Sequence, residues 1–91
     1  RLEICQHFDQ YANVRPSRLL PGIQSPLKNI GPAELDWVIV RENTEGEYSG
    51  AGGRVHPKLP QEVGIDVSVF TRDGIERVMR YAFELALTRS K

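Results

Sequence analysis

An arginine placed directly after an apolar strand is aimed by the backbone, and this chain offers one at Arg41. Trp37, Val38, Ile39 and Val40 form a β-branched run that reads as a buried strand. Arg41, Glu42 and Asn43 follow with no spacer, and beyond Gly46 the chain presents Tyr48. In α/β proteins the carboxyl end of a strand points side chains into the ligand crevice. A second arginine, Arg15, precedes Pro16 where a helix is expected to cross into a strand. Two guanidinium groups fixed in this way can grip both carboxylates of a small diacid. A phenol is a weak acid on its own and serves as a proton donor only when a neighbouring cation favours its ionised form. Residue types alone leave a plainer reading open, and it is the commoner one. Arg15 and Arg41 would then be solvated surface charges, and Tyr48 a packed aromatic with a wet hydroxyl.

Other constellations carry less. His7 and His56 are too isolated to form a zinc set, and no HExxH occurs. Gly50 to Gly53 is not a phosphate loop, since neither a helix start nor GK[ST] follows. Cys5 lies on an apolar stripe with no CxxC partner. Of the carboxylates that could be imagined as acid–base pairs (Asp9, Glu42, Glu45, Glu47), Asp9 and Glu47 read as local hydrogen-bonding or ion-pair partners.

The elements that must position these groups follow from periodicity. Leu2 to Ala12 reads as the end of a helix through the stripe Leu2, Cys5, Phe8 and Ala12, stopping near Asn13. Ser17 to Leu20 is expected as a short strand, Gly22 to Glu34 as a loop, and Asp36 to Glu42 as the central strand. The glycines and prolines of Asn43 to Gln61 predict a loop, with Glu47 to Ser49 as its one candidate strand. Glu62 to Phe70 alternates and predicts a half-buried strand. Thr71 is an N-cap, and Ile75, Val78, Met79, Ala82, Phe83 and Ala86 give a helix over Arg72 to Arg89 that packs its stripe on a sheet.

Lys plus Arg equals Asp plus Glu at 12 each among 91 residues, so no bulk field recruits nucleic acid or an anionic membrane. No apolar run is long enough to span a bilayer, and no signal-peptide pattern is present. A single cysteine fits a reducing compartment, and a cytoplasmic location is expected. The start at Arg1 without methionine and the uncapped helix at Lys91 read as a piece of a larger protein. Ninety-one residues bury a marginal core at most.

Three stretches together resemble the isocitrate, isopropylmalate and tartrate dehydrogenase family, the metal-dependent β-decarboxylating dehydrogenases. They are Phe8 to Pro16 (FDQYANVRP) with Arg18 to Gly22 (RLLPG), Ser25 to Leu27 (SPL), and Trp37 to Gly50 (WVIVRENTEGEYSG). The FDQY form looks closest to the tartrate and D-malate dehydrogenase branch. The resemblance covers the whole chain but about a quarter of a family member. It implies a segment of the isopropylmalate dehydrogenase-like α/β fold: the end of a first-domain helix, then most of the rest in the second, dimer-forming domain, with a loop passing toward the arm that contacts the other subunit.

By the same resemblance, Arg15 and Arg41 hold the malate moiety of a 2-hydroxy diacid, and Tyr48 protonates the enol left by decarboxylation. Tyr48 would work beside a lysine of the partner subunit in a homodimer. NAD and Mg²⁺ or Mn²⁺ are implied as cofactors, with their ligands outside this segment. One departure stands out. The family usually carries an arginine ten residues before the position of Arg15, and here that place is Cys5, which cannot supply a charge-assisted fork. Arg1, one helical turn earlier, is a weak candidate substitute. The competing class is a non-catalytic α/β module binding an anion or a partner through the same arginines, or an inactive truncated copy. The isolated piece is expected to be inactive.

Overall fold

The computed structural model describes residues 2–90, so Arg1 and its suggested role lie outside the described residues. The chain is mixed α/β, in the order α1 (Leu2–His7), β1 (Ala12–Arg18), β2 (Asp36–Glu42), β3 (Gly46–Val55), β4 (Val63–Val69) and α2 (Arg72–Leu87). β1 and β2 form one two-stranded antiparallel sheet, and β3 and β4 form another.

β2 spans the predicted residues, and its apolar run divides between two environments. Side chains alternate across a strand, so Val38 and Val40 share one face while Trp37, Ile39 and Arg41 share the other. α2 lies on the first face, where Val38 and Val40 line a cavity together with Ala82 and Leu85. On the second face Trp37 and Ile39 remain 51% and 52% exposed, so the run expected to be buried is half-buried on one face and exposed on the other. A two-stranded sheet with a single helix has nothing to cover its other side. At the far end Arg89, just beyond α2, donates to the Asp36 backbone carbonyl and carboxylate, and Arg18 of β1 donates to the same carboxylate at 2.9 Å.

α2 begins as expected. The Thr71 hydroxyl accepts from the Gly74 N–H, satisfying an otherwise orphaned donor of the first turn. The helix ends at Leu87 rather than Arg89, because Thr88 and Arg89 turn their N–H groups back to Leu85 and Ala86. The expected apolar stripe is only partly covered: Val78 and Ala82 are half-buried, whereas Met79 and Phe83 stand 50% and 67% exposed.

Three further expectations are corrected. The first helix stops at His7, five residues short of Ala12. Asp9 takes a positive φ of 47°, and the chain closes with Gln10 N–H donating to the Cys5 carbonyl at 2.8 Å. β1 therefore starts at Ala12 and places Arg15 in mid-strand, not at a crossing and not before a strand at Ser17. The predicted loop at Asn43 to Gln61 contains the ten-residue strand β3. Its glycines build a bulge between Gly46 and Ala51 instead of ending the strand. At Gly52, φ is 150° and a side chain would strike the Ile65 carbonyl.

β4 occupies the predicted place but is exposed along its whole length rather than half-buried. Cys5 is the one buried apolar side chain among the described residues. The radius of gyration is 18.9 Å, against about 12 Å for a compact chain of this length. The apolar faces are thus presented outward rather than closed into a core.

Candidate functional site

The β1–β2 register decides which side chains can meet. Asn13 lies opposite Arg41, and Arg15 lies opposite Ile39. Directly opposed residues of an antiparallel pair share a face, so Asn13, Arg15 and Arg41 all stand on the face turned away from α2. Arg15 Nε donates to Asn13 Oδ1 at 3.2 Å, which holds the guanidinium along the strand toward Arg41. The Arg41 guanidinium carbon sits 4.6 Å from the centre of the Tyr48 ring, a cation–π stack between the end of β2 and the start of β3. Gln6 of α1 donates to the Tyr48 carbonyl at 3.0 Å.

Arg18, Arg54, Arg72, Arg77 and Arg89 each pair with a carboxylate. Among the described residues no carboxylate pairs with Arg15 or Arg41. Two guanidinium groups on one face, one stacked on a phenol and neither neutralised, form an anion-binding arrangement with a proton-bearing group beside it.

Asn43, the last residue of the Arg-Glu-Asn run, is buried. Its N–H donates to the Tyr11 carbonyl at 2.9 Å and its amide to the Gln10 carbonyl at 3.3 Å, fastening the end of β2 to the segment entering β1. Glu42 caps the following turn. Its carboxylate accepts from the N–H groups of Thr44 and Glu45 and from the Thr44 hydroxyl, at 2.7–2.8 Å. Burial pushes the Glu42 carboxyl up, but the N–H of Glu45 and the hydroxyl and N–H of Thr44 outweigh it, so its pKa lies below the ordinary 4.5. Glu45 in turn accepts from the N–H and hydroxyl of Thr71, reaching the start of α2. Its carboxylate fills the space a side chain at residue 74 would need, which is why glycine stands there.

This charge state gives a signed pH dependence. A carboxyl whose folded pKa is depressed stabilises the fold above its unfolded value and stops doing so as pH falls through the folded value. The stability difference between the full-length protein and its Glu42→Gln variant is expected to be present above about pH 4.5 and to close on acidification. Denaturant unfolding at a series of pH values checks this, and a difference independent of pH would contradict it. Asp36 shifts in the same direction through its hydrogen bonds from Arg89 and Arg18.

Cys5 is buried on α1 and lines a cavity with Phe8, Tyr11, Asn13 and Tyr81. Its thiol offers nothing to a carboxylate in the manner of an arginine. Asp9, expected as a local partner, instead pairs at 2.8 Å with Arg77, 68 residues away. No three His, Cys, Asp or Glu side chains converge among the described residues, so these residues do not by themselves form a metal site. Thr44 and Arg77 escaped the sequence reading, as did the structural part played by Glu42 and Glu45. A Glu followed two residues later by Thr is a local turn-capping signal that could have found the Glu42–Thr44 cap, whereas nothing local marks the Asp9–Arg77 pair.

Comparison with known proteins then places the chain. Residues 2–91 match the family model described as isocitrate/isopropylmalate dehydrogenase. A probable tartrate dehydrogenase/decarboxylase of Agrobacterium vitis is 67% identical over 91 residues, 100% of this chain and 25% of that protein. A decarboxylating D-malate dehydrogenase of Escherichia coli (strain K12) is 53% identical over 90 residues, 99% of this chain and 25% of the relative. A 3-isopropylmalate dehydrogenase of Bifidobacterium longum is 57% identical over 84 residues, 92% of this chain and 24% of the relative. The crystal structure of an isocitrate dehydrogenase from Methylococcus capsulatus superposes with a TM-score of 0.76 at 34% identity, covering 96% of this chain and 24% of that one. The fold is accordingly that of the isopropylmalate dehydrogenase-like proteins, and the chain spans about a quarter of the length of the relatives it matches.

Proposed function

Because the chain belongs to the isocitrate/isopropylmalate dehydrogenase family, we propose that it serves as the central segment of an oxidoreductase subunit that oxidises, and decarboxylates, a 2-hydroxy diacid of the tartrate or D-malate type. One observation carries this reading: Arg15 and Arg41 stand on one sheet face without a carboxylate partner among the described residues, with Tyr48 stacked against Arg41. Arg15 and Arg41 hold the diacid's carboxylates by charge-assisted hydrogen bonds and so fix its orientation. Tyr48 delivers its phenolic proton to the carbon of the enolate that remains after CO₂ departs, giving the ketone, and the phenolate so formed lies beside the Arg41 guanidinium. The full subunit uses NAD and Mg²⁺ or Mn²⁺, held by residues outside this chain.

The same proposal covers assembly. α1 belongs to the first domain, and most of the remainder to the second, dimer-forming domain of a cytoplasmic homodimer. The β3–β4 hairpin would be the arm that reaches the other subunit. Its outward Val55, Val63, Ile65, Val67 and Val69 support that role, since they line one uncovered apolar face of the hairpin. Among the described residues no helix is long and apolar enough to cross a membrane.

The test is direct. The full-length protein is incubated with NAD⁺, Mn²⁺ and, in turn, tartrate, D-malate and 3-isopropylmalate, while NADH absorbance is followed. NADH formation with at least one of these diacids is the expected result. A folded protein that binds the diacids without reducing NAD⁺ would instead be the anion-binding module.

A further inference from the structure

α2 carries no residue of the substrate face, yet Arg77 reaches from it into both segments that build that face. Arg77 Nη1 donates to Asp9 Oδ2 at 2.8 Å, and Nη2 donates to Thr44 Oγ1 at 3.0 Å. The guanidinium also lies over the Tyr11 ring, 4.5 Å from its centre. Asp9 and Tyr11 belong to the turn that enters β1, the strand of Asn13 and Arg15. Thr44 belongs to the turn between Arg41 and Tyr48. The Thr44 hydroxyl passes the link on, since it accepts from Arg77 and donates to Glu42, the residue that caps the same turn.

This contact differs from the surface ion pairs of the chain. Arg77 is the pairing arginine whose two terminal nitrogens divide between two distant segments; its Nε is buried without a partner. A planar fork with fixed nitrogen spacing sets a distance as well as supplying a charge. The site gives that distance a purpose, because the cation–π stack of Arg41 on Tyr48 closes only if the intervening turn keeps its shape.

We infer that Arg77 is a positioning residue: its fork across Asp9 and Thr44 sets the turn that aligns Tyr48 with Arg41 and with the diacid held on β1 and β2. The inference rests on the function proposed above for its kinetic consequence, though not for its structural one. Lysine at this position keeps the charge beside Asp9 but is a single point donor that cannot divide between two partners. Thr44→Val removes the same link from the other end and leaves the Asp9 pair in place.

The experiment uses the full-length protein and its Arg77→Lys and Thr44→Val variants, well below their unfolding temperatures. Two quantities are read: kcat and KM for the diacid, and the NMR resonance of the Tyr48 Cζ in ¹³C-tyrosine-labelled protein, assigned by its loss in Tyr48→Phe. Misalignment of a reacting group lowers turnover more than binding. We therefore expect kcat per folded molecule to fall roughly 10- to 100-fold with KM near that of the parent. The Tyr48 resonance is expected to move in both variants. A residue that merely supports the fold would lower the melting temperature and leave both quantities unchanged in the folded population. Parent-like turnover per folded molecule, or an unmoved Tyr48 resonance, overturns the inference. If the parent itself does not reduce NAD⁺, the proposed function has failed, and the Tyr48 resonance alone decides whether Arg77 sets the turn.

Discussion

Replacing Tyr48 with phenylalanine in the full-length enzyme lowers kcat by roughly 10²- to 10⁴-fold, the usual contribution of a positioned general acid, and leaves the diacid KM close to that of the parent. The reason is the division of labour on the sheet face. The ring of residue 48 stacks on Arg41, and phenylalanine preserves that stack, so the arginine stays where the substrate needs it. The backbone of residue 48 is held independently, by Gln6 donating to its carbonyl. Only the hydroxyl is lost, and with it the proton donor that the proposed function assigns to Tyr48. Steady-state kinetics check this. A large rise in KM with normal turnover would assign Tyr48 to binding and contradict the role given to it.

The two arginines are expected to fail differently. Among the described residues Arg15 is tied to Asn13 alone, and under the proposed function its removal deletes a charge-assisted contact to one carboxylate of the diacid. Such a contact is worth about 1.5–3 kcal/mol, so Arg15→Ala raises KM roughly 10- to 150-fold with a smaller change in kcat. Under the proposed function Arg41 has two tasks, to meet the diacid and to support Tyr48, over whose ring it lies. Arg41→Ala therefore raises KM by a similar factor and lowers kcat as well, since the phenol loses its stack and its phenolate loses the adjacent charge. Arg15→Ala and Arg41→Ala giving the same kinetic pattern would mean that the Arg41–Tyr48 stack has no part in turnover.

Much of the scaffold of this site was readable along the chain. The β-branched run before Arg41 specified β2, and Thr71 with the apolar spacing from Ile75 specified α2, because both signals are local and strong. β3 was hidden by its own composition. Gly46, Gly50 and Gly52 read as turn residues, whereas the paired strand uses their positive φ values to form a bulge and pass close to the Ile65 carbonyl. The length of α1 was misjudged because Phe8 and Ala12 continue its apolar spacing although the backbone turns at Asp9. The burial of β4 was overestimated, since alternation shows which residues share a face but not whether anything covers that face. Arg15 and Arg41 could be named from sequence, while their common face required the register of β1 on β2. The Asp9–Arg77–Thr44 link joins three elements and leaves no trace in any local pattern.

The central claim is that Arg15 and Arg41 jointly hold the diacid, and binding tests it without relying on turnover. The measurement is calorimetric titration of D-malate into the full-length protein with Mn²⁺ and without NAD⁺, for the parent and for Arg15→Ala and Arg41→Ala. Each substitution is predicted to weaken the affinity roughly 10- to 150-fold. Affinities equal to that of the parent in both variants would show that the diacid is held elsewhere, and the assignment of this sheet face would be wrong.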